Sequence, residues 1–222
     1  TYLKQVWFAN GIHHHYSTDK FVPGFGQEFF EKAVKSVDTR YLPLQKGETV
    51  NQLLANISPV IFDPTIDAKR VNQAEGEDLV LTSAGNYYDG VTQAEAEAFY
   101  NKMKNPNDLR PVSYGLNSRL VKRNGKIEER VYKVGGLYSK ALEKIVYWLE
   151  KAASVAENAQ QKAVIEKLIS YNKTGNLKEF DEYAILWVND LDSDIDFVNG
   201  FTETYGDPLG MKASWEALVN FK

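Results

Sequence analysis

The hydrophobic pattern changes its period along this chain, and this change limits the possible folds more than any other feature of the sequence. Two runs with the composition of strands, at residues 113–123 and 126–134, flank the dipeptide Asn124-Gly125. Asn-Gly accepts the positive φ angles that a type I′ turn requires. We therefore predict a β-hairpin at this position.

Four stretches before the hairpin have the spacing of amphipathic helices. They lie at residues 2–10, 27–37 and 50–57 and from Thr92 to about Met103. Pro59 is predicted to end the third, because proline disrupts helices. Thr92 followed by Glu95 forms a capping-box pattern at the start of the fourth. The polar stretch at residues 63–78 is predicted to be a surface loop.

Three further helices are predicted after the hairpin, and their ends carry recognisable signals. Gly175 is predicted to end the second of them, and Asn176 with Glu179 to cap the third. Trp148 and Trp187 lie on the apolar stripes of these helices, so we predict that both are core residues.

The last part of the sequence returns to a strand pattern, at residues 195–205 and 214–221. Strands thus occur in two blocks separated by helices, which indicates an α+β fold rather than a doubly wound parallel sheet. Residues 1–110 are predicted to be mainly helical, and residues 111–222 to hold the hairpin, the helical block and the last strands.

Composition excludes several classes of protein. The chain has 222 residues, of which 43% are hydrophobic, so it can bury a core as one large domain or two small ones. Its net charge of -4 argues against nucleic acid as a partner. It has no cysteine, and no apolar run approaches the length of a membrane span, so we predict no disulfide and no membrane partner.

The two ends of the sequence suggest a part of a longer protein. The chain begins without Met and stops straight after an apolar run, at Phe221-Lys222. We therefore expect an excised segment.

Two polar clusters leave alternatives open. His13, His14 and His15 are the only histidines, and they could bind a metal, contact a substrate in a cleft or form a structural turn. Four aspartates alternate with other residues from Asp190 to Asp196, but the spacing lacks the glycine turn and final glutamate of a calcium loop. A solvated loop before a strand is the favoured interpretation.

Several separated motifs resemble the dipeptidyl peptidase III family of zinc exopeptidases, in the order in which that family has them. The first comprises residues 7–11 and 16–23, and the second residues 86–92 and 115–120. The most specific is residues 199–210, which is similar to the family pattern G-F-x-E-x-Y-x-D-P-x-G. The resemblance spans nearly the whole chain.

The resemblance implies a substrate-binding lobe. Family members hold zinc through a His-Glu-x-x-Gly-His helix and a later glutamate, and neither motif occurs here. The family's fold then implies that residues 1–222 belong to the lobe without zinc, which contributes helices and a small, incomplete antiparallel β-barrel. Zinc would be a cofactor of the parent protein, with its ligands outside this segment. No metal ligand and no catalytic residue is expected here.

The same resemblance implies a function and a set of binding residues. The parent would be a cytoplasmic zinc-dependent peptidase that removes dipeptides from the amino termini of short peptides. This segment would bind the peptide, pair with the missing catalytic lobe and be inactive alone. Asp196 is the best match for the acidic residue that meets the substrate's amino group, although Val198 replaces a family tyrosine nearby. The proposed peptide contacts are Asp196, Asn199 and Gly200, with Asn10, His13 and Tyr16 at the cleft rim. The alternative is a non-catalytic peptide-binding or regulatory module.

Overall fold

Seven α-helices and five β-strands form in the computed structural model, which describes residues 1–221. The chain divides into two units, Thr1–Ala84 and a second that begins at Gly85. No helix in the described chain combines the length and the apolar character needed to cross a membrane.

The first unit is built on three helices, α1 (Tyr2–Phe8), α2 (Gln27–Ser36) and α3 (Val50–Phe62). Aromatic rings join α2 to α3, with the ring of Phe62 at 5.7 Å from that of Phe30 in α2 and 6.0 Å from that of Phe25, which lies just before α2. Thr49 and Gln52 form a capping box at the start of α3. The ring contacts of Phe62 stabilise the first unit beyond what the burial of apolar area alone contributes.

Helix α3 continues past Pro59, so the prediction that Pro59 ends it is wrong. Proline lacks an N–H group but keeps its carbonyl, which accepts a hydrogen bond of 2.9 Å from the amide of Asp63. The Lys20 ammonium group donates to the carbonyl oxygens of Val60, Asp63 and Ile66. These bonds satisfy carbonyl groups that a helix end otherwise leaves unpaired.

The second unit begins with a three-stranded sheet and one helix. Strand β1 (Tyr88–Asp89) pairs in parallel with β2 (Ser118–Arg123), which pairs antiparallel with β3 (Lys126–Val131). Asn124 and Gly125 have φ angles of 50° and 77°, as the turn requires, so the predicted hairpin is confirmed. The Thr92–Glu95 capping box is also confirmed, and it opens α4 (Gln93–Asn101).

Three consecutive helices follow: α5 (Ser139–Ser154), α6 (Ala159–Thr174) and α7 (Leu177–Val188). Helix α6 ends at Gly175, whose φ of 70° is left-handed, as predicted. The Asn176 side chain caps α7 by accepting from the amide of Lys178. The Glu179 carboxylate does not complete a capping box and accepts instead from the hydroxyls of Ser170 and Thr174.

Strands β4 (Ile195–Glu203) and β5 (Ser214–Phe221) form a separate antiparallel pair. The register shifts between Phe201 and Glu203, so Thr202 is an extra residue in β4, as in a β-bulge. The sequence predicted strands of an incomplete antiparallel barrel. The strands are present, but residues 1–221 contain no closed barrel, because the two sheets stay separate and β1 pairs in parallel.

The main core of the second unit lies between the three helices and the sheets. Its buried members come from α5, α6, α7, β4 and residues that flank the strands, and they include Leu142, Leu168, Tyr171 and Phe201. Trp187 packs against this core, as predicted. Trp148 is 68% exposed, so its predicted core position is wrong. It lies two residues after the buried Val146, and at 3.6 residues per turn that places it on the opposite side of α5.

Candidate functional site

Strand β4 carries three of the predicted peptide contacts, Asp196, Asn199 and Gly200. Asp196 is opposite Asn220 of β5, and Asn199 is opposite Ala217. Side chains alternate between the two faces of a strand, so the side chains of Asp196 and Asn199 lie on opposite faces. All three residues therefore lie on one strand, but the side chains of Asp196 and Asn199 cannot contact the same ligand group on one face of the sheet.

The Asp196 carboxylate is half-buried and held by one of its oxygens. Oδ1 accepts hydrogen bonds from Nε1 of Trp187 at 2.9 Å and from the backbone amide of Phe197 at 2.8 Å. Oδ2 accepts no hydrogen bond from any described residue, and no described Lys or Arg pairs with this carboxylate. An oriented carboxylate with one open oxygen can accept strong hydrogen bonds from a cation.

Gly200 is buried beneath helix α7. A Cβ atom at this position would lie 3.2 Å from Cε2 of Phe180, and the φ of Gly200 is +154°. A larger side chain would therefore need both a displaced ring and an unfavourable backbone conformation. This packing gives Gly200 a structural role in placing β4 against α7.

Asn199 lies beside an apolar pocket of about 290 Å³ between α5, α6 and the β4–β5 sheet. The Asn199 Oδ1 atom is buried and has no hydrogen-bond partner among the described residues. A buried acceptor without a partner normally costs about 1–3 kcal/mol. The remaining lining is mostly apolar and consists of Leu149, Ala152, Val155, Glu157, Gln161, Ile165, Ile195, Phe197, Val198, Ala217 and Val219.

The three predicted rim residues lie in the first unit, in different environments. Asn10 is exposed and has a left-handed φ of 55° just after α1. Tyr16 is 86% exposed, and its ring meets that of His15 edge-on at 4.9 Å. His13 is buried, and its Nε2 lies 2.7 Å from the carbonyl oxygen of Asp67, which accepts a hydrogen bond from it.

The geometry of the histidine run favours the structural turn among the three interpretations. His13 pairs through its backbone with Lys20. The Nδ1 atom of His14 accepts from the backbone amides of Tyr16 and Ser17 at 3.3 and 3.1 Å. These bonds form a turn between His13 and Lys20.

The aspartates before β4 belong to a loop that its neighbours hold in place. The Asp190 carboxylate accepts from the hydroxyl of Ser193, and the Glu157 carboxylate accepts from the amides of Asp194 and Ile195. Among residues 1–221, no group of three or more His, Cys, Asp or Glu side chains could hold a metal ion. The described side chains therefore do not fit a metal.

Sequence patterns did not reveal a buried polar network around Lys212. Lys212 is fully buried, and its Nζ donates to the hydroxyls of Tyr100 at 2.5 Å and Ser118 at 3.1 Å. Both hydroxyls donate in turn to Oε1 of Glu129. Burial lowers the pKa of Lys212 to about 8, although the nearby carboxylates of Glu129 and Asp207 oppose this shift.

Asp207 organises the loop that leads into this network. Its carboxylate accepts from the amides of Leu209, Met211 and Lys212 and from the hydroxyl of Tyr88. Burial is the main cause that raises the pKa of Tyr88, and the charge of Asp207 adds to it. Asp207 belongs to the motif at residues 199–210, and this was the one sequence signal for the network.

Comparisons with known proteins show which family this chain resembles. The sequence pattern of peptidase family M49 matches residues 86–222. Dipeptidyl peptidase 3 of Dictyostelium discoideum is 30% identical over 87 residues, which are 39% of this chain and 13% of that protein. The human enzyme is 30% identical over 84 residues, which are 38% of this chain and 11% of the human protein.

Solved structures of the same family share the fold. Dipeptidyl peptidase III from Caldithrix abyssi superposes with a TM-score of 0.50 at 18% identity, over 88% of this chain and 34% of that structure. The enzyme from Corallococcus sp. strain EGB gives a TM-score of 0.50 at 18% identity, over 87% and 34% of the two chains. The chain thus spans about a third of the length of these structures. The family pattern covers more than half of the chain, which therefore belongs to peptidase family M49, the metallopeptidase family of dipeptidyl peptidase III.

Proposed function

We propose that this chain is the peptide-binding part of a zinc-dependent dipeptidyl peptidase that removes dipeptides from the amino termini of short peptides. Membership of peptidase family M49 supports a peptidase as the parent protein. The observation that carries the binding role is the Asp196 carboxylate on β4, with one oxygen fixed and the other open.

Asp196 is suited to bind the ammonium group of a peptide's amino terminus. The hydrogen bond from Trp187 fixes the orientation of the carboxylate, and no described cation neutralises its charge. An ammonium group that meets Oδ2 in a half-buried position forms a charge-assisted hydrogen bond, which is stronger than a neutral one. If the amino terminus of the peptide is held at a fixed site, the bond that is cleaved would lie two residues from that end of the peptide.

The rest of the peptide would lie along β4. Within residues 1–221, β5 pairs with one edge of β4, and no strand pairs with the other. An extended peptide can pair with a strand edge through backbone groups and so tolerate many side chains. We propose that Asn199 and Gly200 contact the peptide through their backbone. Asn10, His13 and Tyr16 remain predicted contacts, of which Asn10 and Tyr16 are exposed.

The metal of the family would be bound elsewhere in the protein. The described residues do not form a metal site, so we expect that this chain alone does not hydrolyse peptides. Zinc, when bound in the whole enzyme, would supply the polarising charge at the scissile bond.

The binding role can be tested on the full-length protein that carries this segment. A tetrapeptide with a free amino terminus is titrated after metal removal, by calorimetry, into the native protein and into Asp196→Asn. We expect about tenfold weaker binding by the variant, since it loses a charge-assisted bond. Asp194→Asn is the control, because Asp194 is exposed and its change removes the same charge. An N-acetylated tetrapeptide should bind both proteins equally weakly.

Equal affinity of the native protein and Asp196→Asn for the free peptide would refute the amino-terminus role. The enzymatic part has a separate test, which is to read the coding sequence beyond Lys222. A His-Glu-x-x-Gly-His motif there would support the peptidase, and a stop codon would support the non-catalytic module instead.

A further inference from the structure

The sheet formed by β1, β2 and β3 has an inner face and an outer face. Ser118 and Glu129 lie on the inner face, where they belong to the buried network around Lys212. Because side chains alternate along a strand, every second residue of β2 and β3 belongs to the outer face. Four residues of that face are basic, and we call them the basic face: Arg119, Arg123, Lys126 and Arg130.

The pairing register places like charges opposite each other on the basic face. Arg119 of β2 is opposite Arg130 of β3, and Arg123 is opposite Lys126. Side chains in opposite positions have Cβ atoms about 5 Å apart, so two cations there repel each other and destabilise the sheet. The fold thus keeps two unfavourable pairs on one surface of a chain whose net charge is -4.

The carboxylates on this face offset only part of the positive charge. Oδ2 of Asp89 in β1 accepts from Nη2 of Arg119 at 3.3 Å and from Nη2 of Arg123 at 2.5 Å, so one carboxylate serves two guanidinium groups. Glu128 adds to the field at Arg123 but forms no ion pair with a described residue. The two cations on β3 also have no ion pair among the described residues. The basic face therefore has an excess of positive charge.

This excess of charge matches an acidic partner. Guanidinium groups bind carboxylates through charge-assisted hydrogen bonds, which are often bidentate. A carboxylate between two like charges would also relieve their repulsion, so binding would remove a cost that the free chain carries. A long polyanion such as nucleic acid would meet the net negative charge of the whole chain. A short acidic peptide fits the basic face better.

The spacing of the cations restricts the shape of such a peptide. Arg119 and Arg123 are four residues apart, which is about 13 Å along a strand. In an extended peptide, two residues four positions apart lie on the same side and at the same separation. Glu128 lies between the two pairs of cations, so the middle residue of the peptide should be uncharged.

We propose that the basic face binds an extended acidic peptide segment with two carboxylates four residues apart. One carboxylate would lie at the pair of Arg119 and Arg130, and the other at the pair of Arg123 and Lys126. This site does not depend on the proposed amino-terminus site at Asp196, which belongs to the other sheet.

The test is a titration of the 222-residue chain at low salt, followed by ¹H–¹⁵N correlation spectra. The probe is Gly-Glu-Ser-Val-Ser-Glu-Gly, acetylated at its amino terminus and amidated at its carboxyl terminus. We expect saturable shifts at the amides of the basic face. The isomer Gly-Glu-Glu-Ser-Val-Ser-Gly, with the same end groups, has glutamates that point to opposite sides. It should bind about tenfold more weakly, because it loses one of the two charge-assisted contacts.

Replacing Arg130 by glutamine gives two readouts of opposite sign. Arg130→Gln should bind the probe about tenfold more weakly, since one contact loses its charge. Without peptide it should unfold at a higher urea concentration than the native chain, because the repulsion with Arg119 is relieved. Arg110→Gln is the matched control, because Arg110 is exposed, lies outside the sheet and loses the same charge. It should change neither value.

Equal affinities of the native chain for the two isomers would overturn the proposal. Tighter binding of inorganic phosphate, or of a thymidine trinucleotide, than of the probe would also overturn it. So would a loss of stability in Arg130→Gln, because it would mean that Arg130 stabilises the free chain. The probe has no free amino group, so its result is independent of the titration with Asp196→Asn, and each proposal can fail alone.

Discussion

The indole Nε1 of Trp187 on α7 donates a hydrogen bond of 2.9 Å to Oδ1 of Asp196 on β4. This bond crosses from a helix to a strand and joins the core to the proposed binding carboxylate. Trp187 is thus a positioning residue for Asp196.

Replacing Trp187 by phenylalanine should weaken both the fold and the orientation of Asp196. The variant loses the donor and part of the buried ring, which we expect to cost about 2 kcal/mol in the free energy of unfolding. Urea denaturation measures this cost. The same change at Trp148, which is 68% exposed, should stay within about 0.5 kcal/mol. Equal losses at the two tryptophans would contradict the structure.

The buried ammonium group of Lys212 should make stability depend on pH. Its pKa in the folded chain is about 8, below its ordinary value of 10.5, so the unfolded chain holds more protons between these values. The free energy of unfolding should therefore rise by about 2 kcal/mol from pH 8 to 9.5, relative to Lys212→Met. This window ends below pH 10, where tyrosines with raised pKa values, such as Tyr88, begin to act in the opposite sense. Parallel pH profiles for the two proteins would rule out the lowered pKa.

Removal of the Asp207 carboxylate should be among the most destabilising changes in the second unit. Asp207→Ala leaves the Tyr88 hydroxyl and three backbone amides without their acceptor and removes a negative charge near Lys212. We expect a loss of about 3 kcal/mol, measured by thermal and urea unfolding. Asp192→Ala, in an exposed loop, should change the free energy of unfolding by less than about 0.5 kcal/mol.

A methyl group at Gly200 should be poorly tolerated because of Phe180. Gly200→Ala places Cβ 3.2 Å from the Phe180 ring at a φ of +154°, and we expect a loss of about 2 kcal/mol in stability. Gly24→Ala is the control, because no atom lies within 4 Å of its added Cβ and its φ is not positive. If the two variants unfold at the same urea concentration, the close packing of β4 on α7 is wrong.

Local signals in the sequence predicted most elements of this fold. The Asn124-Gly125 turn, the Thr92–Glu95 capping box and the end of α6 at Gly175 all depend on backbone preferences of a few neighbouring residues. Such preferences act without tertiary contacts, so the sequence displays them directly.

Features that depend on distant contacts could not be predicted in this way. Helix α3 passes Pro59 while Lys20, far away in sequence, satisfies its last carbonyls. Lys212 is a charged residue whose burial depends on partners from α4, β2 and β3. The predicted role of Asp196 came from a motif, whereas its bond to Trp187 and the pocket beside Asn199 emerge from the packing of α5, α6 and α7 on the sheet.

The extra residue Thr202 in β4 has a consequence for how this strand tolerates change in length. Before the bulge, alternation places Phe197 and Asn199 on one face, and beyond it only Glu203 pairs with β5, opposite Ser214, before the chain enters the Asp207 loop. Deleting Thr202 would remove the bulge and shorten the connection to Asp207 by one residue, so either the pairing of Glu203 with Ser214 or the position of the Asp207 loop would have to change. At this position the length of β4 therefore matters more than the type of residue, and relatives should differ in residue type at position 202 more readily than in strand length.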